Sequence, residues 1–160
     1  MQTSINIQSA DFDQATLYRQ LTHGNVEDGA VVTFTGQVRQ QNLGDNVTGL
    51  TLEHYPGMTE KTLSQIIEQA RKKWTINRVI VVHRIGELTV GENIVFVGVS
   101  GPHRTDCFAA NEIIMDFLKV NAPFWKKEMT TEGERWLDAK STDQAKAQQW
   151  QPSNSEERSC

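Results

Sequence analysis

The chain has 160 residues, 38% apolar and 22% charged, with a formal net charge of −4. That length suits a single domain with a sizeable core, and no apolar run approaches the roughly 18–20 residues that cross a bilayer. The acidic balance, with a pI near 5.6, speaks against nucleic-acid binding, which needs a basic face. MQTSINIQSA at the N-terminus lacks the basic-then-apolar pattern of a leader. Cys107 and Cys160 make neither a CxxC nor a disulfide framework, so a reducing, cytoplasmic setting is expected.

Asp11 to Leu21 predicts a short helix with Asp11 or Asp13 at its start. Ala30–Arg39 (AVVTFTGQVR) is β-branched and reads as a strand, whereas Gln40–Val47 is polar, with a Gly-Asp-Asn cluster that breaks regular structure. Thr48–Tyr55 is the next strand. A Pro56-Gly57 turn leads into a helix running through Trp74, with Leu63, Ile66, Ile67 and Ala70 on one face. Arg78–Ile85 and Glu92–Ser100 are strands joined through Gly86 and Gly91, the second apolar enough to be buried on both faces. A helix from about His103 stops at Asn121-Ala122, because Pro123 disfavours helical geometry in the residue before it. Phe124–Lys140 reads as a hairpin turning at Thr131–Gly133. Beyond Trp150 the segment QPSNSEERSC has little to bury and is expected to be disordered. Helices and strands alternate without a regular βαβ period or a glycine-rich phosphate loop. The expected class is α+β with a mixed or antiparallel sheet, in one domain over residues 1–150 followed by a tail over 151–160.

The most informative stretch is Gly101–Lys127 (GPHRTDCFAANEIIMDFLKVNAPFWKK), which concentrates cations in an acidic chain. Local positive charge without a global excess points to a small anion. At about 100° per residue, Cys107, Ala110, Ile113, Ile114, Phe117 and Leu118 form one stripe that packs on the sheet. Lys119 lies almost opposite, beside Phe108, Glu112 and Met115. Two readings stay open. Lys119 is an ordinary helix-end lysine complementing the helix dipole, or Phe108 and Met115 wall a pocket in which desolvation lowers its pKa and makes it reactive. His103 and Arg104 sit where a helix start leaves backbone N–H groups for an anion. His54 and His83 each lie within a strand without a partner at ligand spacing and read as structural. The histidines and cysteines make no metal pattern.

The segments VVTFTGQVR, NLGDNVTGLTLEHYPGMTEK, RIGEL, FVGVSGPHR, IMDFLK and APFWKKE occur in this order. Together they closely resemble the large, catalytic subunit family of molybdopterin synthase, over roughly Asp28 to Trp150. The resemblance implies an α/β-hammerhead fold with a small β subdomain, and a sulfurtransferase active without a cofactor of its own. It implies a homodimer within a heterotetramer, carrying a small ubiquitin-like subunit at each end. That partner's C-terminal glycine thiocarboxylate supplies sulfur to cyclic pyranopterin monophosphate, forming the dithiolene of molybdopterin.

Carried over by motif, Lys119 and Lys126 are the expected catalytic residues. Gln37, Val38, Arg39, His103, Arg104, Lys127 and Glu128 join them in binding substrate, and Phe34 and Met115 line the pocket. Gln37 and Lys140 depart from the family pattern, where lysine and arginine respectively would be unsurprising. The chain offers no sulfur donor of its own: Cys107 faces the core stripe and Cys160 ends the tail. A competing class is a non-catalytic module that holds an anionic ligand or a partner's C-terminal tail with the same cations.

Overall fold

A computed structural model describes residues 1–137. Lys140, the 151–160 tail and the end of the expected domain lie outside those residues. A four-stranded mixed sheet runs in the order β1 (Gln2–Gln8), β5 (Arg78–Arg84), β7 (Asn93–Gly101), β2 (Ala30–Gln37). β1 is parallel to β5 and the other pairs are antiparallel. A second sheet orders β3 (Gln41–Asn42), β4 (Asp45–His54), β8 (Phe124–Thr130) and β9 (Gly133–Leu137), with β6 (Gly86–Thr89) also paired to β4.

Strand β7 sits between β5 and β2, and its apolar run is explained by cover on both faces. Val95, Val97 and Val99 face α2 (Met58–Lys73) and α3 (Arg104–Val120), while Phe96 faces α1 (Gln14–Thr22) with Leu17, Leu21, Ile80 and Val82. Five of the six residues of the α3 stripe are buried and Phe117 is partly so; Asp116 is buried beside them, and so is Asn111. Its amide is satisfied there by donating to the Val97 carbonyl at 3.0 Å, as a buried polar group requires. A third cluster of Val38, Val47, Leu50, Leu52 and Leu88 forms the core of the second sheet.

Several boundaries differ from the sequence expectations for local reasons. Asp13, not Asp11, caps α1 by accepting from the Thr16 N–H at 2.9 Å. Asp11 accepts instead from Asn93 Nδ2 at 3.0 Å. β2 stops at Gln37, where a register shift at Gly36/Gln37 sends Val38 and Arg39 out of the sheet. The polar break at residues 40–47 is a tight hairpin joining β3 to β4, with Leu43 and Gly44 both at positive φ (54° and 90°). β1 has no strong sequence signal, only Ile5 and Ile7 alternating with polar residues near the N-terminus.

The β7–α3 junction has almost no slack. A Cβ on Gly101 would lie 2.6 Å from the Thr75 carbonyl oxygen and 3.2 Å from Cys107 Sγ, and Asp106 accepts from the Thr75 N–H at 2.9 Å. Gly101→Ala should therefore destabilise the fold by about 1–3 kcal/mol, seen as a melting temperature lower by several degrees. An unchanged melting temperature would show that the junction can relax.

Candidate active site

The C-terminal half of α3 and the start of β8 lie against the gap between the two sheets and enclose a cavity of about 700 Å³. β2 and its exit supply Phe34, Gln37, Val38 and Arg39, α3 supplies Met115 and Lys119, and β8 supplies Lys126 and Glu128. The β8 side chains follow from strand alternation: Phe124, Lys126 and Glu128 share the cavity face. Arg39, Lys119 and Lys126 are three lining cations against one lining carboxylate, Glu128, whose charge Arg135 already matches through contacts at 2.6 and 2.9 Å. The cavity therefore favours an anion, with apolar wall from Phe34, Val95, Met115 and Leu118.

Eight expected site residues thus converge, and three do not. Lys127 points to the other face of β8, pairs with Glu134 at 3.1 Å and lies over the Trp136 ring at 5.7 Å. His103 and Arg104 are exposed at the opposite end of α3 from Lys119. Fifteen residues of helix separate Arg104 from Lys119 by about 22 Å along the axis, too far to serve one small substrate within a single chain. Phe108 is 61% exposed and lines no part of the cavity, so Met115 alone makes the α3 wall expected of the pair. Lys119 is exposed at the cavity edge rather than desolvated. Val38 contributes its buried side chain; its N–H donates to the Glu92 carbonyl at 3.0 Å and its carbonyl accepts from Gly91 at 2.9 Å. That clasp and a Gln37–Asn93 amide contact at 3.1 Å fix the strand exit from which Arg39 projects.

His83 and Asn42 also line the cavity and were not read from the sequence as site residues. His83 is 4% exposed, its ring stacked on Phe124 with centroids 3.8 Å apart, and Nδ1 lies 2.8 Å from the Arg84 carbonyl. That contact selects the tautomer with the proton on Nδ1, since a carbonyl can only accept. Burial, with added repulsion from Lys126 and His54, pushes its pKa down to about 3. The ring is therefore neutral near pH 7. Strand alternation alone makes such a histidine look like core; the neighbouring strand end and β8 turn it into cavity wall.

Cys107 lies outside the cavity, fully buried, its thiol pushed up to about 11 by burial and by the Asp28 and Asp106 charges. A thiol so hard to ionise is a poor nucleophile. No group of three or more His, Cys, Asp or Glu among the described residues is placed to hold a metal ion, and none of their helices is long and apolar enough to cross a membrane.

Fold and site together define an α+β protein with a cation-lined cavity for a small anion. The family model for the MoaE protein matches residues 7–121. The molybdopterin synthase catalytic subunit of Vibrio cholerae is 54% identical over 151 residues, covering 94% of this chain and 100% of that protein. Its counterpart in Escherichia coli K12 is 60% identical over 124 residues, 78% of this chain and 83% of that one. The solved structure of a molybdopterin biosynthesis MoaE protein from Burkholderia ambifaria superposes with a TM-score of 0.78 at 46% identity, covering 92% and 97% of the two chains. The chain belongs to the MoaE family.

The neutral buried His83 has a consequence for acid stability. Its folded pKa, about 3, lies below the unfolded value of 6.5, so on acidification the unfolded chain takes the proton first. Its contribution to stability is complete above about pH 6.5 and is lost progressively as pH falls toward 3. His83→Gln should lower the melting temperature at pH 7 by removing the Phe124 stack, yet flatten its decline between pH 6.5 and 4. Parallel melting curves against pH for both proteins would refute the buried neutral ring.

Proposed function

We propose that this chain is the catalytic subunit of a molybdopterin synthase, a sulfurtransferase that acts on a phosphorylated pterin in the cytoplasm. Sulfur arrives as a thiocarboxylate on the C-terminal glycine of a small ubiquitin-like partner. The observation that carries this reading is the meeting of Arg39, Lys119 and Lys126 at one partly apolar cavity. Both reactants are anionic, and a charge-assisted hydrogen bond to either contributes about 1.5–3 kcal/mol. Arg39 takes a phosphate oxygen at the mouth. Lys119, at the helix end and exposed, meets the incoming thiocarboxylate and acts in the transfer. Lys126, behind it on β8, neutralises charge that develops on the intermediate. Neutral His83 forms part of the wall without adding another positive charge.

His103 and Arg104 enter this scheme through the second copy of the homodimer. Their distance from Lys119 along α3 leaves no route within one chain, whereas an exposed helix start on a second chain can reach a neighbour's cavity. Small subunits at both ends of that dimer complete a heterotetramer. The buried, poorly ionised thiol of Cys107 supports delivery of sulfur from outside the chain.

Lys119→Ala should abolish or nearly abolish dithiolene formation with thiocarboxylated partner and pterin precursor, while circular dichroism and melting stay near wild type. Near-normal turnover would remove Lys119 from the chemistry. A non-catalytic binding module would instead lose binding alone, with no turnover by the parent protein to begin with. The double variant Cys107→Ala, Cys160→Ala should lose some stability through the emptied core site and still make product with the charged partner. If product vanishes although the variant folds and binds its partner, a cysteine of this chain carries the sulfur.

A further inference from the structure

Arg39 is one end of a chain of polar contacts that leads away from the cavity to Asp45. Its Nη2 donates to Asn42 Oδ1 at 3.0 Å, and Asn42 Nδ2 donates to Glu128 Oε1 at 3.0 Å. Glu128 Oε2 accepts from Arg135 Nε at 2.9 Å and Nη2 at 2.6 Å. Arg135 also donates to Asp45 Oδ2 at 2.6 Å and to the Asn42 carbonyl at 3.1 Å.

The order of groups settles which way each one faces. An ionised carboxylate only accepts, so Glu128 draws the NH₂ end of the Asn42 amide. That turns the amide oxygen outward, and Arg39, which only donates, meets an acceptor rather than a competing donor. Glu128 is itself held at 4% exposure by the planar fork of Arg135. Asn42 and Asp45 are paired residues flanking a two-residue turn, so Arg135 grips both ends of that hairpin. Leu43 occupies the left-handed region there (φ 54°), a conformation leucine avoids unless its surroundings impose it.

We infer that Asn42 and Arg135 are positioning residues, which fix the Arg39 guanidinium at the cavity mouth against an anionic group of the substrate. The inference rests on the proposed phosphate contact of Arg39. Arg39 projects from an exposed position after β2 and otherwise has many rotamers to choose among. Holding one of its N–H groups on Asn42 leaves the others preset for phosphate oxygens, so less freedom is lost on binding.

The test is a double-mutant cycle on the complex charged with thiocarboxylated partner, measuring kcat and KM for the pterin substrate. Asn42→Ala should raise KM on the order of 10-fold, the loss of about one such hydrogen bond, with kcat changed little. In an Arg39→Ala background the same change should matter less than about twofold, because the group it positions is gone. Arg135→Lys keeps the charge beside Glu128 but not the fork, so it should raise KM less and fail to add to Asn42→Ala. Melting curves verify folding, and if Asn42→Ala does not fold, the cycle of Arg135→Lys with Arg39→Ala decides the point. Equal KM effects of Asn42→Ala with and without Arg39, or an effect confined to kcat, overturn the positioning role alone. An Arg39→Ala variant with unchanged KM overturns the phosphate contact and this inference with it.

Discussion

Glu128 keeps a charged carboxylate at 4% exposure, and the geometry of the cavity depends on how that charge is accommodated. Taking a carboxylate out of water costs several kcal/mol unless geometry is good and every lone pair is used. Arg135 answers with two N–H groups on one oxygen and Asn42 with one on the other. These three residues come from β8, β9 and the β3–β4 hairpin, so satisfying one charge ties three separate pieces of the second sheet together. Lys126, two residues before Glu128, shares its face of β8 and so inherits its direction from this anchor. Arg39 inherits its contact from the orientation of the Asn42 amide. Two of the three cations at the cavity therefore stand where they do because a buried anion elsewhere on the wall has been satisfied.

The third cation, Lys119, is placed by a different constraint. Strand β7 is covered on both faces and cannot shift without opening two cores, and the tight turn at Gly101 binds the start of α3 directly to its end. Helix length then sets the position of Lys119, which emerges from the last turn as the buried stripe closes at Leu118. The packing that makes α3 a core element thus also makes it a ruler. It puts Lys119 at the cavity and, by the same measure, keeps His103 and Arg104 away from it.

Most of this architecture was legible because it rests on strong, regular signals: the α3 stripe, the α2 face, the β-branched runs of β5 and β7, and the stop at Pro123. What the sequence hid has physical reasons. β6 has only four residues and β1 only two apolar ones, Ile5 and Ile7, so both gain stability from their neighbours rather than from their own pattern. The 40–47 stretch looked like a break because two-residue hairpin turns prefer Asn-Gly or Asp-Gly, and Leu43-Gly44 hides the turn behind a leucine. The family motif carries Lys127 to the site together with Lys126, but adjacent residues of a strand face opposite ways, and Lys127 pairs with Glu134 instead. His83 reads from the sequence as a structural strand residue, and it is also cavity wall, because position within one strand says nothing of which other strand closes over the ring. Asn42 opens one of the segments that carry the family resemblance, yet nothing in that segment points to a site role; the role exists only once Glu128 and Arg39 are brought to either side of it.

The division of charge along α3 bears on why an anion site should be split between two chains. A cavity that gathered Arg39, Lys119, Lys126 and Arg104, with His103 beside them, in one chain would hold four positive charges within a small volume before any anion arrived. Like charges packed at such range repel strongly where water is scarce. The folded monomer instead keeps three cations at the cavity and leaves the His103–Arg104 pair exposed at the far end of the helix, where solvent screens it. In the proposed dimer His103 and Arg104 are brought in by a second chain, so the full positive field is assembled by association rather than by folding. Anionic substrate and the partner's thiocarboxylate then offset the repulsion that assembly creates. In that arrangement the cost of concentrating charge falls on the complex that uses it rather than on the folding of one chain.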